Sequence, residues 1–156
     1  MTQYDLKLER TLDAERDLVW RCWTEPMHLM PWFTPAPWKA VDCRIDLKVG
    51  GEFFNVMQSP EGEKFENHGV YLEIIKGTRL VWTNAYRTGW LPNGDAQPML
   101  TTIVLDFADA GKNKTQYTAV ALHWNEAAKK QHEEMGFYDG WGIATDQLVA
   151  YAKGMK

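Results

Sequence analysis

HWNEAAKKQHEEMGFYDGWGIATDQLVAYAKG, residues 123–154, is the stretch on which the fold of this chain turns. Within it Phe137, Trp141, Ala144, Leu148 and Tyr151 recur at steps of four and three, the spacing that gathers side chains on one helical face. The pattern predicts one long helix, capped by Asn125 and interrupted by Gly136, Gly140 and Gly142. Each glycine lowers helix propensity by up to about 1 kcal/mol relative to alanine, so the three mark close packing, a kink or room for a ligand. A helical face carrying rings must be covered, and a run of strands precedes it.

Alternation and turn chemistry delimit those strands. Tyr4 to Leu12 alternates apolar and charged residues and reads as a first strand. Asp13 then stands where it can cap a short helix with Glu15 and Asp17 in its first turn and Leu18, Val19, Cys22 and Trp23 on its buried side. Thr24 and Pro26 end that helix and start another through Leu29, and prolines at 31, 35 and 37 impose a loop. From Val41 to Lys48 apolar Val41, Cys43, Ile45 and Leu47 alternate with Asp42, Arg44, Asp46 and Lys48. Gly50-Gly51 turns into Glu52 to Met57, and residues 59–62 make the next turn. His68 to Ile75 and Thr78 to Tyr86 pair about Lys76-Gly77, Thr88 to Pro98 is a loop and a candidate lip, and Met99 to Phe107 pairs with Thr115 to Leu122. Strand, two short helices, six strands and a long helix define an α+β fold in which an antiparallel sheet folds over the last helix.

At 156 residues the chain fits a single domain, 1–156, able to bury a core without staples. Lysine and arginine total 17 against 21 acids, a formal charge of −4, which excludes nucleic acid and anionic membranes as main partners. Cys22 and Cys43 lack any paired spacing and read as two inert thiols in a reducing compartment. With no signal-peptide core and no long apolar run, the expected localisation is cytoplasmic.

No metal or cofactor is expected. His132-Glu133-Glu134-Met135-Gly136 begins like a zinc-protease helix, but the second ligand must fall four residues on, where Gly136 stands. There is no nucleophile elbow, phosphate loop or dinucleotide fingerprint. His68 alternates with Val70, Leu72 and Ile74 and on that pattern points inward, whereas His123 and Trp124 occupy opposite faces and only one can do so. A Glu134 turned inward beside a histidine would be a candidate acid or base.

Taken in order, Val19-Trp20, Thr24, Pro26, Leu29 and Trp32-Phe33, Asp46 with Gly50-Gly51, Gly69 with Leu72-Glu73-Ile74, Arg79-Leu80-Val81-Trp82-Thr83, and Gly140-Trp141 before Asp146-Gln147-Leu148 resemble the START-like, helix-grip (SRPBCC) superfamily. The resemblance is to its single-domain branch, similar to the C-terminal domain of the activator of the heat-shock chaperone ATPase. It implies a seven-stranded antiparallel sheet gripping a C-terminal helix, two short helices after strand one, and a deep, mostly apolar cavity. The tryptophan-rich N-terminal domain of the chaperone activator has no counterpart in these residues.

On such a fold Trp32, Trp38, Trp82, Tyr86 and Trp141 are expected to line the cavity, with Met99 and Met135 as soft wall and His68 and His123 as polar groups. The function this implies is binding of a small hydrophobic or aromatic ligand, a binder rather than an enzyme. One alternative is a cyclase or dehydrase using a cavity histidine and a carboxylate; another is a co-chaperone-like interaction protein, with chaperone contact the less favoured partner. A homodimer is left open.

Overall fold

The structure, a computed structural model, describes residues 4–96 and 99–155. In chain order the elements are β1 (Asp5–Leu12), α1 (Arg16–Thr24), α2 (Pro26–Leu29), β2 (Lys39–Ile45), β3 (Glu52–Gln58), β4 (Lys64–Ile75), β5 (Arg79–Thr83), the two-residue strands β6 (Tyr86–Arg87) and β7 (Leu91–Pro92), a 3-10 turn (Gly94–Ala96), β8 (Thr101–Asp109), β9 (Thr115–His123), α3 (Glu126–Glu134) and α4 (Phe137–Lys153). Seven strands form one antiparallel sheet in the order β1-β9-β8-β5-β4-β3-β2, while β6 and β7 make a separate small hairpin. The seven-stranded helix-grip architecture and the two short helices after strand one are therefore as expected.

Packing follows from which faces are apolar. Leu105 and Phe107 of β8, Tyr117, Ala119 and Ala121 of β9, and Leu6, Leu8 and Leu12 of β1 turn inward. Against them lie Val19 and Trp23 of α1 and Leu148 and Ala152 of α4. Trp23 sits at the centre of a ring cluster, 4.8 Å from Trp32, 5.2 Å from Trp82, 5.7 Å from Phe33 and 6.0 Å from Trp141. Rings of this size dominate the burial that stabilises a domain. The outer face carries a small apolar cluster of Val81, Val104 and Val120 with Leu122.

Several boundaries differ from expectation. The C-terminal stretch is two helices: α3 ends at Glu134, the N–H of its capping residue Met135 donates to the Gln131 carbonyl, and Gly136 adopts φ 95°, ψ 40° before α4 begins. Only glycine enters that left-handed conformation without a Cβ penalty, which is why the break falls there. Asn125 does cap α3, its Oδ1 accepting from Ala128 N at 2.8 Å. Asp13, by contrast, caps nothing. Glu15 occupies the cap position of α1 without a side-chain bond, and the Asp13 carboxylate pairs with Lys153 Nζ at 2.8 Å, tying the approach to α1 to the end of α4.

Two bulges reset the alternation. One between Ala40 and Asp42 leaves Val41 exposed, and Leu47 lies exposed beyond the end of β2. The other, between Tyr71 and Glu73, inserts a residue into β4. Tyr71 faces the core, Leu72 is thrown outward, and Ile74 returns to the inner side, so the run His68, Val70, Leu72, Ile74 does not share one face. β4 also starts at Lys64, before His68, and β5 stops at Thr83. The loop expected at 88–98 contains β7 and the 3-10 turn; Gln97 and Pro98 lie outside the described residues.

Candidate functional site

Between α3 and the start of α4 on one side and the β3-β4-β5 half of the sheet on the other, the packing opens. One hollow of about 280 Å³ lies between Phe53, Asn55 and Asn67 on β3 and β4, Trp82 and Ile103 on β5 and β8, and Phe33, His132 and Trp141 opposite. A second, about 350 Å³, lies under the start of α4, bordered by Trp23, Trp32, Phe33, Met135, Phe137 and Trp141. The two share Phe33, Met57, His132 and Trp141 as a common wall. The second alone reaches the roughly 300 Å³ at which ligand pockets begin, and the first adjoins it across their common wall.

Residue choice opens this space. Gly136 and Gly140 border the second hollow, and a Cβ built on Gly140 would meet only Pro35, at 3.9 Å, while one on Gly136 would meet nothing within 4 Å. Gly142 serves differently, since a Cβ there would lie 3.0 Å from the Arg10 guanidinium. The three glycines thus realise the three expected uses: Gly136 the kink, Gly142 the close approach, Gly140 the room.

The walls are apolar rings and methionines, with amides at one end. Asn67 Nδ2 donates to Asn55 Oδ1 at 3.0 Å, and Asn84 Oδ1 accepts from Thr101 N at 2.8 Å. Asn55 and Thr101 are buried. No Asp, Glu, Lys or Arg borders either hollow among the described residues.

Two histidines are joined at the wall that the hollows share. His123 is buried at the end of β9; its Nδ1 is 2.9 Å from the Tyr4 carbonyl and its Nε2 is 2.8 Å from His132 Nδ1 on α3. The His132 ring also stands edge-on to Phe137, centroids 5.1 Å apart. Burial, and then the neighbouring His123, pull the pKa of His132 down to about 4, so it is neutral at physiological pH. Among the described residues no three His, Cys, Asp or Glu side chains come together as a metal site would need. Cys22 and Cys43 are free and buried, and burial pushes both thiols up to about 12.

Of the residues expected to line a cavity, Trp82, Met99 and Trp141 border the first hollow, and Trp32, Met135 and Trp141 the second. His123 lies behind His132, while Trp124 is exposed. His68 borders the first hollow, but it sits opposite Phe54 in the ladder, so its imidazole turns to the outer face, 4.8 Å from the Phe54 ring. There Nε2 is 3.3 Å from Glu66 and 3.3 Å from Arg87. Trp38 and Tyr86 border neither hollow. Trp38 packs on Phe65 at the surface, and Tyr86 packs on Trp90 in the β6-β7 hairpin, against the outer side of β4. Glu134 is exposed and takes no part.

Sequence reasoning missed His132, Phe33, Asn55 and Asn67. In an unbroken helix the neighbours of Phe137 one turn back are Glu133 and Glu134. The left-handed turn at Gly136 brings His132 there instead, and the glycine was the one visible signal of it.

A curved antiparallel sheet closed by a C-terminal helix, with ring-lined space between them, defines a START-like helix-grip domain. Residues 13–153 match the family described as Activator of Hsp90 ATPase homolog 1-like protein, and the chain belongs to that family. It is similar to protein NE0264 of Nitrosomonas europaea, with 44% identity, 98% of this chain and 97% of that one covered, and a TM-score of 0.91. The fold is shared with protein Ms6760 of Mycobacterium smegmatis (21% identity, 98% and 93% covered, TM-score 0.79) and with the AHSA1-like protein of Aeromonas hydrophila (19%, 95% and 92%, TM-score 0.68). No protein of curated function matches the sequence. No described helix is long and apolar enough to cross a membrane.

Proposed function

We propose that this protein binds a small, uncharged, apolar or aromatic molecule in the space beneath α3 and α4. The observation that carries the reading is a pair of adjoining hollows, about 280 and 350 Å³, walled by Trp82, Trp141, Phe33 and Phe53 and free of charged side chains among the described residues. Such a lining favours transfer of a ring out of water, at roughly 25 cal/mol per Å² of apolar surface, and disfavours any ion. The two buried, unpaired thiols suit a reducing cytosol as the place where it works.

A cyclase or dehydrase would need a carboxylate within reach of a cavity histidine. The His68–Glu66 pair stands on the outer face, and His132 is too weakly basic to abstract a proton efficiently near neutral pH. Binding is therefore the better-supported reading.

A screen of flavonoids, polyketides and fatty acids by tryptophan fluorescence and thermal shift tests it, because Trp82 and Trp141 would report occupancy directly. A compound present at a hundred times its Kd should stabilise the fold by about 2.7 kcal/mol. Trp141→Ala should abolish the response. Silence from every class, with chaperone captured in a pull-down and its ATPase stimulated, would replace the binder with a co-chaperone.

A further inference from the structure

We infer that His132 Nε2 is the recognition atom of the hollow, and that the molecule it receives is an uncharged ring compound bearing a hydroxyl or N–H donor. The inference rests on the binding reading above and adds to it a ligand class and a contact atom.

A hydrogen-bond chain with one fixed end carries it. The Tyr4 carbonyl can only accept, so His123 Nδ1, 2.9 Å away, carries the proton of that bond. The other nitrogen of a neutral imidazole is then an acceptor. His123 Nε2 lies 2.8 Å from His132 Nδ1, so the hydrogen between the two rings belongs to His132 Nδ1. His132 Nε2 is left with a lone pair, and among the described residues it has no hydrogen-bond partner. With both rings neutral the chain cannot run the other way, because a carbonyl has no proton to give.

The arrangement sets the less common tautomer on His132 and leaves a neutral acceptor, not a cation, on a residue that borders both hollows. Burial and His123 keep the ring unprotonated down to about pH 4. An acceptor in an apolar hollow is under-used until a donor arrives, and a ligand that lacks the donor leaves it unpaired. A carboxylate or phosphate would meet no counter-charge there, and like an ether oxygen it would face the lone pair. The flanking Trp141 and Trp82 favour a flat ring as the body of the molecule.

Isothermal titration of the purified protein with 2-naphthol and with 2-methoxynaphthalene, which differ in the donor, is the test. The wild type should bind the naphthol about tenfold more tightly, the worth of one net hydrogen bond. His132→Phe, which keeps a ring against Phe137, should bind the two alike. Long-range proton–nitrogen NMR of the unliganded wild type should show both His123 and His132 protonated at Nδ1 and bare at Nε2 near neutral pH, a readout that stands even if the variant fails to fold. Equal affinities in the wild type, or an Nε2–H tautomer on His132, would overturn the inference and leave the binding reading intact. Failure of both naphthalenes to bind would overturn the inference too, while the binding reading falls only to silence across the wider screen.

Discussion

The groove between sheet and helices has two ends, and they are built from different residues. At one, Leu6, Leu105, Leu148 and Ala152 have no more than 1% of their surface exposed, and alanines at 119 and 121 let α1 and α4 settle close to β8 and β9. At the other, Gly136 and Gly140 border one hollow, Asn55 of β3 and Asn67 of β4 border its neighbour, Met57 of β3 borders both, and space is left over. The contrast lies in the side chains offered, not in the backbone frame, which is one continuous sheet throughout. Openness here is a local choice, set against an otherwise well-filled interior.

Deletions should therefore cost very different amounts at the two ends. Leu148→Ala at the packed end should lower unfolding free energy by about 2–5 kcal/mol in urea titration, since the fully buried site leaves a cavity. A loss below about 1 kcal/mol would erase the distinction.

At the open end the next effect is a pH dependence. His132 has a pKa of about 4 in the fold against 6.5 unfolded. Between those values the unfolded chain takes up the proton and the folded chain does not, so its contribution is whole above pH 6.5 and drains away as pH falls toward 4. His123 is the titratable group that touches it. Urea midpoints measured from neutral to about pH 4 should drop more steeply for the wild type than for His132→Phe. Equal slopes would mean that the ring is not buried as a neutral partner of His123.

Smaller still, Gly140→Ala should raise stability by up to about 1 kcal/mol through helix propensity, because its Cβ meets only Pro35 at an ordinary distance. Destabilisation on thermal melting would show that the second hollow is already filled. At the low end, the native protein should leave Cys22 and Cys43 unlabelled by a thiol reagent near neutral pH, with both reacting only after denaturation. Rapid labelling of Cys43, the thiol on β2, would locate looseness at that edge instead.

How far the site is legible in the sequence depends on the range of the interaction involved. Trp82, Trp141 and Met99 are legible as cavity lining because the strand pattern and the helical spacing each state a facing direction over a few residues. His68 is not, since a single inserted residue at Tyr71–Glu73 reverses the facing of the first half of β4 relative to its second half. Trp38 and Tyr86 find ring partners at the surface, Phe65 and Trp90, that no local pattern announces. His132 belongs to a failed metal motif, and only its contact with His123 across the fold gives it a role.

By itself the amino-acid order determined the elements, their succession and the α+β class, because periodicity, turn glycines and the Asn125 cap act between near neighbours along the chain. Tertiary structure alone decided which histidine faces which, where the bulges turn a strand over, and that the gripped helix leaves two hollows. Each of those depends on groups far apart in sequence meeting at a few ångströms, a distance that only the closed sheet and its helices define.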